Sequence, residues 1–552
     1  MRTFLVDCYT SNVEQSKKID SFLALLDKSG VCDLLKDVIK KDDISKGGRP
    51  IYNPYNMLAV IIYNFAFNKS TLRDIEDKCR NDLRCIYILQ GENPSYKSIG
   101  NFINDYILPN REKIFSLITK AIFDECKLEM DNMYLDGSKF EANANKYKFV
   151  WKPTTFHNKL SDKIRELLKG YNIETGLPAQ GIIESQIIAN KINELNDILK
   201  NYNLDLKENK AHNNNYKLLV QYLEKSLEYE EKERICGPNR NSYYKTDNDA
   251  TAMCLKEDYY SGLGSNMHAG YNAQISVING LITTYLVTQS RTDINDFTPL
   301  LDIHYKFYGS YPKKLCADSG YGSLTNYKYL DEHEIENFVK YFTWQGNVSG
   351  KNPSQYHLND DETITCLNGN IGHKIKVSWH HKKANSTFYK VEGCNKCQFN
   401  LYCKRFMKEK NENYKIFEVT IELQKYIQQA ETNLLSIAGI EMRVNRSSQV
   451  EGAFGVIKQD IQYERFRRRS LDKVSTEFML VCLGYNIRKL FKHFDGNAKF
   501  DYWKAPDNIK PETFKKPSAK RLSKKASKVK RKSVNEEAKS NYKYTNEKGC
   551  KT

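Results

Sequence analysis

Val450-Glu451-Gly452-Ala453-Phe454-Gly455-Val456-Ile457-Lys458 is the stretch on which the reading of this chain turns. Read as a helix, it sets Glu451 and Lys458 seven residues apart, about two turns along one face. Phe454 and Ile457 form an apolar stripe beside them. Arg465, Arg467, Arg468 and Arg469 come next. A carboxylate held against an apolar face and followed by cations suits metal-assisted work on a phosphate chain. The plainer reading is a solvated Glu–Lys face, because charge pairs at helical spacing are common. Two acids upstream raise the first reading over the second.

The first is Asp136. Met133 and Leu135 alternate with Asn132, Tyr134 and Asp136, which predicts a strand ending at an acid and a glycine. An Asp-Gly turn is the simpler alternative. The second is Asp318, at the end of an apolar run and before a glycine-rich turn, Ala317-Asp318-Ser319-Gly320-Tyr321-Gly322. Between them, residues 267–278 and 281–289 flank Asn279-Gly280, the strongest short hairpin signal. Helices are expected over 294–305 and 325–332, and a further strand over 335–341. The order strand, insertion, hairpin, helix, strand, helix, strand gives a mixed sheet. If the two acid-bearing strands are neighbours, Asp136 and Asp318 sit side by side and a later helix can bring Glu451 to them. Three carboxylates suit Mg²⁺, which takes octahedral oxygen ligation and leaves positions for phosphate and water. Two such ions clamp the attacking and leaving oxygens of a phosphoryl displacement.

The chain has 552 residues, with 85 Lys+Arg against 68 Asp+Glu and a net charge of +17. That length accommodates several domains, and that charge favours an acidic partner, most simply nucleic acid. No run of 18 apolar residues occurs, so no membrane span is expected. The first residues lack a signal-peptide layout. Fourteen scattered cysteines point to a reducing compartment rather than a disulfide framework.

Residues 1–130 read as helices, with the stripe Met57, Leu58, Ile61, Ile62, Phe65 and breaks at Gly47-Gly48-Arg49-Pro50 and Gly91-Glu92-Asn93-Pro94. A helix-turn-helix-like module is compatible with this, and a plain bundle is simpler. The α/β core begins at 131–342, interrupted over 153–245 by a helical, hairpin-like insertion. Before that insertion, Lys139, Lys146, Tyr147, Lys148 and Lys152 make a basic, aromatic segment that reads as a phosphate-tracking strip or a plain loop. An insertion subdomain occupies 343–440. It carries Cys366, Cys394, Cys397 and Cys403, the ligand count of a tetrahedral Zn²⁺ site, with His373, His380 and His381 as competing ligands. A structural zinc stapling a small β-rich unit stands against free buried cysteines. Trp344 and Trp379 read as core residues. The helices at 441–495 complete the core, and 496–552 read as a basic tail adding salt-dependent DNA affinity.

Three stretches together resemble the acidic motifs of bacterial insertion-sequence transposases of the DDE type. They are Asp136-Gly-Ser-Lys-Phe-Glu-Ala-Asn-Ala-Asn145, Ala317-Asp318-Ser-Gly-Tyr-Gly322 and Val450 to Lys458. Gly48-Arg-Pro50, Gly270-Tyr-Asn-Ala-Gln274 and Cys482-Leu-Gly-Tyr-Asn486 extend the likeness over about 45–495. It implies a ribonuclease-H-like α/β catalytic core with an N-terminal all-α, DNA-binding domain, a helical insertion and the small cysteine-containing β-rich insertion. It also implies Asp136, Asp318 and Glu451 as catalytic acids holding Mg²⁺ or Mn²⁺, cleavage and strand transfer at terminal inverted repeats, and a cytoplasmic, nucleoid-associated protein. The DNA contacts expected are Lys139, Lys146, Lys458, Arg465, Arg467 and Arg468, on repeat and target duplexes, with a homodimer joining two ends. A repurposed DNA-binding protein and a structure-selective nuclease are the alternatives. Related transposases often carry Tyr and Arg seven and four residues before the Glu. Here those positions are Val444 and Ser447, with Arg443 and Arg446 close by, so neither arginine is assigned a role.

Overall fold

The helix expected to carry Glu451 lies across one face of a mixed sheet, in a computed structural model that describes residues 13–39, 52–68, 71–202, 210–255, 267–376, 385–405, 407, 411–500 and 502–515. Gly47 to Pro50, Trp379, His380, His381 and the basic run from Lys516 onward lie outside the described residues.

Helices open the chain: α1 (Val13–Lys28), α2 (Val31–Ile39), α3 (Pro54–Phe67), α4 (Leu72–Asn81), α5 (Leu83–Ile88), α6 (Tyr96–Phe102) and α7 (Leu108–Cys126). Their starts carry the expected chemistry. Asn53 caps α3 with proline in its first turn, and Thr71 and Asp74 form a capping box on α4. The stripe on α3 exists, but α3 is buried all round from Asn56 to Ala66.

Next come strand β1 (Asn132–Glu141), β2 (Phe149–Trp151), helices α8 (Thr154–Lys169), α9 (Ser185–Asn201) and α10 (Lys210–Cys236), then β3 (Ser242–Tyr244) and β4 (Thr251–Cys254). The three helices share a small core of their own around Ile164, Ile188, Leu195 and Leu219. Asn213 to Asn215 lie inside α10. The hairpin β5 (Met267–Ile278) and β6 (Leu281–Thr288) turns at Asn279 and Gly280, both at positive φ (49° and 72°), as a type I′ turn requires. After it are α11 (Phe297–Tyr308), β7 (Lys314–Cys316), α12 (Leu324–Glu332) and β8 (Glu336–Asn337).

The sheet runs β4-β5-β1-β7-β8, with β6 also on β5. β1 is antiparallel to β5 and parallel to β7, and β7 is parallel to β8. This mixed α/β arrangement is compatible with a ribonuclease-H-like core. The strand expected over 335–341 is only two residues of ladder. The chain continues it through single bonds, Phe338 N to Leu315 O and Lys340 N to Ala317 O.

A second sheet, β9 (Tyr356–Leu358), β10 (Ile364–Cys366), β11 (Ile371–Ile375), β12 (Thr387–Glu392) and β13 (Tyr414–Val419), is antiparallel throughout and forms the cysteine-bearing unit. Helix α13 (Ile421–Leu435) returns to the main sheet. Helix α14 comprises Ile437–Arg446, a π turn at Ser447–Glu451, Gly452–Gly455 and a second π turn at Val456–Asp460. The last helix is α15 (Leu471–Phe494).

α15 explains why α3 has no wet face. It lies between α3, α7 and β6, and joins the opening helices and the sheet in one hydrophobic core. Gly484 permits the approach: a side chain there would meet the Phe65 carbonyl at 2.6 Å. Buried Asn486 donates to Ile282 O and accepts from Ile282 N (both 2.8 Å), pairing backbone that β6 leaves open. The described part of the basic tail also departs from expectation. Residues 502–515 lie along α14 instead of leaving the core: Trp503 O accepts from Asn445, Ala505 N donates to Glu441, and Glu512 pairs with Arg443 at 2.7 Å. Among the described residues no helix is long and apolar enough to cross a membrane.

Candidate active site

β1 and β7 are side by side, so Asp136, within β1, and Asp318, two residues past β7, come from adjacent parallel strands. Asp136 accepts from the Gly137 amide (2.9 Å) and Asp318 from the Ser319 amide (2.8 Å), which fix each carboxylate against its own backbone. Glu451, at the end of the first π turn of α14, accepts from Ser447 Oγ at 3.0 Å. The three acids converge on one side chain, Arg446. Its Nη2 lies 3.1 Å from Asp136 and 4.0 Å from Asp318, and its Nη1 lies 3.6 Å from Glu451. Only 6% of the Arg446 side chain is exposed, against 52% and 58% for those of Asp318 and Glu451. The cation is therefore at the bottom and the acids open toward solvent.

The π turn accounts for a residue that spacing alone missed. In a regular helix the residue one turn before Glu451 is Ser447. A π turn takes one more residue, so that Arg446, five before Glu451, faces the acids as well. Arg443 turns away, to Glu512 and over the Trp344 ring at 5.5 Å.

Electrostatics reflect this geometry. Burial raises the Asp136 carboxyl above its ordinary range, while Arg446 and the Gly137 amide pull it back, and Asp318 and Glu451 raise it further. Burial works against the Arg446 charge, yet Asp136, Asp318 and Glu451 hold it above the usual guanidinium value. The donor set fits a divalent cation: three carboxylates already surround one positive charge. Among the described residues no three His, Cys, Asp or Glu side chains are disposed as a ready ligand cluster, neither the acids, between which the guanidinium stands, nor the four cysteines expected to hold zinc.

Behind the acids lies a polar network that the motifs hinted at. Gln274, opposite Gly137 on β5, accepts from Tyr321 OH and donates to Asp293 at 2.7 Å. Asn272 donates to Asp293 (2.8 Å) and Asp296 (3.3 Å), and Thr288 donates to Asp296 (2.9 Å). A side chain at Gly137 would occupy the space of the Gln274 amide. Three motifs noted in the sequence thus lock the two acid-bearing strands together. Asp293 and Asp296 escape a reading of the sequence, since no pattern around them marks carboxylates that bond to the strands.

The remaining expected residues are spread out. Lys458 donates to Ser138 Oγ (2.7 Å) and sits 4.7 Å over the Phe140 ring, on the β1 face that carries Asp136. Lys139 faces the other side of β1, opposite Asn272. Lys146 is exposed. Arg465 reaches Glu141 at 3.7 Å. Arg467 and Arg468 donate their amides to buried Glu477, and Arg468 Nη1 bonds Asn104 at 2.9 Å, so both are anchored in the fold. Cys366, Cys394, Cys397 and Cys403 line one cavity of ≈ 30 Å³ with Lys404 and Lys415. Lys415 Nζ lies 3.2 Å from Cys403 Sγ.

Residues 365–491 match the family model of a transposase DDE domain, and residues 8–105 match that of a second transposase domain, DUF772. These two matches, to separate parts of the chain, support an insertion-sequence DDE transposase. No curated protein matches it. The first match runs from β10 to α15 and takes in Glu451, Arg446 and the cysteines. Asp136 and Asp318 lie outside both matches, and geometry alone joins them to Glu451. Transposases of this type act on DNA and generally use divalent metal ions.

Proposed function

We propose that this transposase binds the terminal inverted repeats of its element, cleaves the DNA strand there and transfers the freed end to target DNA. The observation that carries the reading is the convergence of Asp136, Asp318 and Glu451, from three distant segments, on the Arg446 guanidinium. On this reading the sheet is a ribonuclease-H-like core, and Asp136, Asp318 and Glu451 hold Mg²⁺ or Mn²⁺. The bound metal supplies activation of the attacking oxygen and neutralisation of phosphate charge. The chain supplies the rest. The Gly137 and Ser319 amides orient two acids, Arg446 offsets the repulsion among all three, and Lys458, held by Ser138, offers a cation to a neighbouring phosphate. The opening helices, Lys139, Lys146 and the Arg465–Arg468 loop would contact duplex DNA, with two copies joining two ends. The cysteine cavity, with four soft donors, suits a structural zinc.

The test is cleavage of DNA bearing the element's flanking repeats with Mg²⁺, comparing wild type with Glu451→Gln. Repeat-specific nicking that vanishes in the variant supports the reading. Binding without nicking would make this a repurposed DNA-binding protein, and nicking indifferent to the repeats would make it a nuclease.

A further inference from the structure

Between Glu141 and Asp162 the chain holds no acid, four lysines (146, 148, 152, 159) and the aromatic residues Tyr147, Phe149, Trp151 and Phe156. All four rings are turned outward, at 83%, 42%, 52% and 64% exposure. Four large rings in ten residues left in water is costly for a surface with no task. The segment is also held in place. β2 pairs with β3, whose three residues are all buried. Lys245 N donates to Lys148 O, Lys152 N to Asn241 O (both 2.9 Å), and Lys152 Nζ to Gly237 O at 2.8 Å. Phe149 and Trp151, two apart on a strand, share one face, with ring centroids 5.3 Å apart. Lys146 Nζ lies 5.5 Å over the Tyr147 ring.

This ribbon is the direct continuation of the strand that carries Asp136. From Asp136 to Glu141, β1 spans roughly 17 Å, and the loop beyond it forms one wall of an open groove lined by Asn143, Gln462, Glu464, Arg465, Phe466 and Arg467. Asn143 ties the walls together, donating to Arg467 O (2.7 Å) and accepting from Arg469 Nε (2.9 Å). The chain thus runs from Asp136 along β1, past the wall of this groove with its two arginines and one glutamate, to a row of exposed rings set among lysines.

We infer that Tyr147, Phe149 and Trp151, with Lys146 and Lys148, form a stacking platform for unpaired DNA nucleotides next to the cleaved position. Duplex phosphates would require only the lysines. Exposed rings interleaved with lysines are what splayed bases require, since every base presents a π face. The inference takes its nucleic acid from the transposase reading and adds to it a single-stranded segment and its site.

The test measures binding of the full chain to three fluorescent probes by anisotropy at fixed salt: a single strand, a same-length abasic phosphodeoxyribose strand, and a repeat duplex. Variants are Phe149→Ala, Trp151→Ala and, in an exposed loop position that folding does not need, Tyr147→Ala. The platform predicts that single-strand affinity falls on the order of tenfold per ring removed, that duplex affinity changes less than twofold, and that wild type binds the abasic strand more weakly than any single-ring variant binds the single strand. Equal wild-type affinity for abasic and base-bearing strands would overturn it. So would ring variants that bind the single strand normally, including any that instead lose self-association, which would assign the patch to a second copy. The two readings fail separately. Loss of ring-dependent binding with Glu451-dependent nicking intact removes the platform alone, and ring-dependent binding without any nicking removes the transposase reading alone.

Discussion

The acid site and the cysteine cavity are both gatherings of metal-seeking side chains beside lysine or arginine, and they are built in opposite ways. The acids come from β1, the end of β7 and α14, and the sheet and the helix across it must both be in place before they meet. The cysteines come from one local unit, Cys366 from β10 and Cys394, Cys397 and Cys403 from the connection between β12 and β13, beside a small core around Leu358, Ile364, Tyr389 and Val391. At the acids the cation is buried beneath three carboxylates. At the cysteines Lys415 lies beside one sulfur, while buried Lys404 donates from its amine to the Glu412 carbonyl. The first arrangement depends on the whole fold and, on the proposed reading, serves chemistry, whereas the second is local.

The sharpest way to break that contrast is Asp318→Asn. It leaves shape and backbone bonds nearly unchanged but removes a charge that the chemistry requires. Strand cleavage should fall on the order of a thousandfold or more, while a gel shift with repeat DNA stays within a few-fold of wild type. Loss of binding together with cleavage would mean that Asp318 is structural.

Arg446→Gln comes next. It leaves three carboxylates facing one another with no cation among them. Removing one partner of a well-buried pair costs about 3–5 kcal/mol, and the half-open acids reduce that here to about 1–3 kcal/mol. Mg²⁺ should then stabilise the variant against heat more than it stabilises wild type. An equal Mg²⁺ response in calorimetry would show that Arg446 does not offset the repulsion of the acids.

The network behind the site gives a smaller, pH-dependent effect. Burial, partly offset by Thr288, lifts the Asp296 carboxyl to about 6. Its ordinary value is near 4, so between those two pH values the folded state holds a proton that the unfolded state has released. Stability from this group is full below about pH 4 and is lost as pH rises through 6, by at most about 3 kcal/mol. Urea midpoints from pH 4 to 7 should show that slope in wild type and a flatter one in Asp296→Asn.

Much of this architecture is legible in the sequence because it rests on short-range patterns. Alternation at Met133 and Leu135 gives β1, although the strand runs past Asp136 to Glu141, and Asn279-Gly280 gives the β5–β6 hairpin; the pairing of Asp136 with Asp318 is conditional on the two strands being neighbours, which they are. Arg446 is not legible, because helical counting assumes one period and the π turn at Ser447–Glu451 changes it. Nor is the burial of α3 on all sides, since its second partner, α15, lies more than four hundred residues further on. The packing of 502–515 on α14 is hidden by the basic composition of the tail beyond it.

The smallest effect is expected at the cysteines, and it tests the local half of the contrast. If the four thiols hold zinc, elemental analysis should find about one metal per chain, and Cys394→Ser should remove it. The consequence should stay within β9–β13. Proteolysis should open that sheet first, since its small core has little apolar area to spare, while strand cleavage falls less than about tenfold because no cysteine touches the acids. Burial raises the Cys394 thiol and Lys404 lowers it, so without metal this thiol should react slowly with a thiol reagent at neutral pH, and a chelator would change nothing. A chelator that quickens that reaction identifies a metal-held thiolate. A Cys394→Ser variant that loses cleavage as completely as Asp318→Asn would show that the subdomain and the acid site are coupled after all.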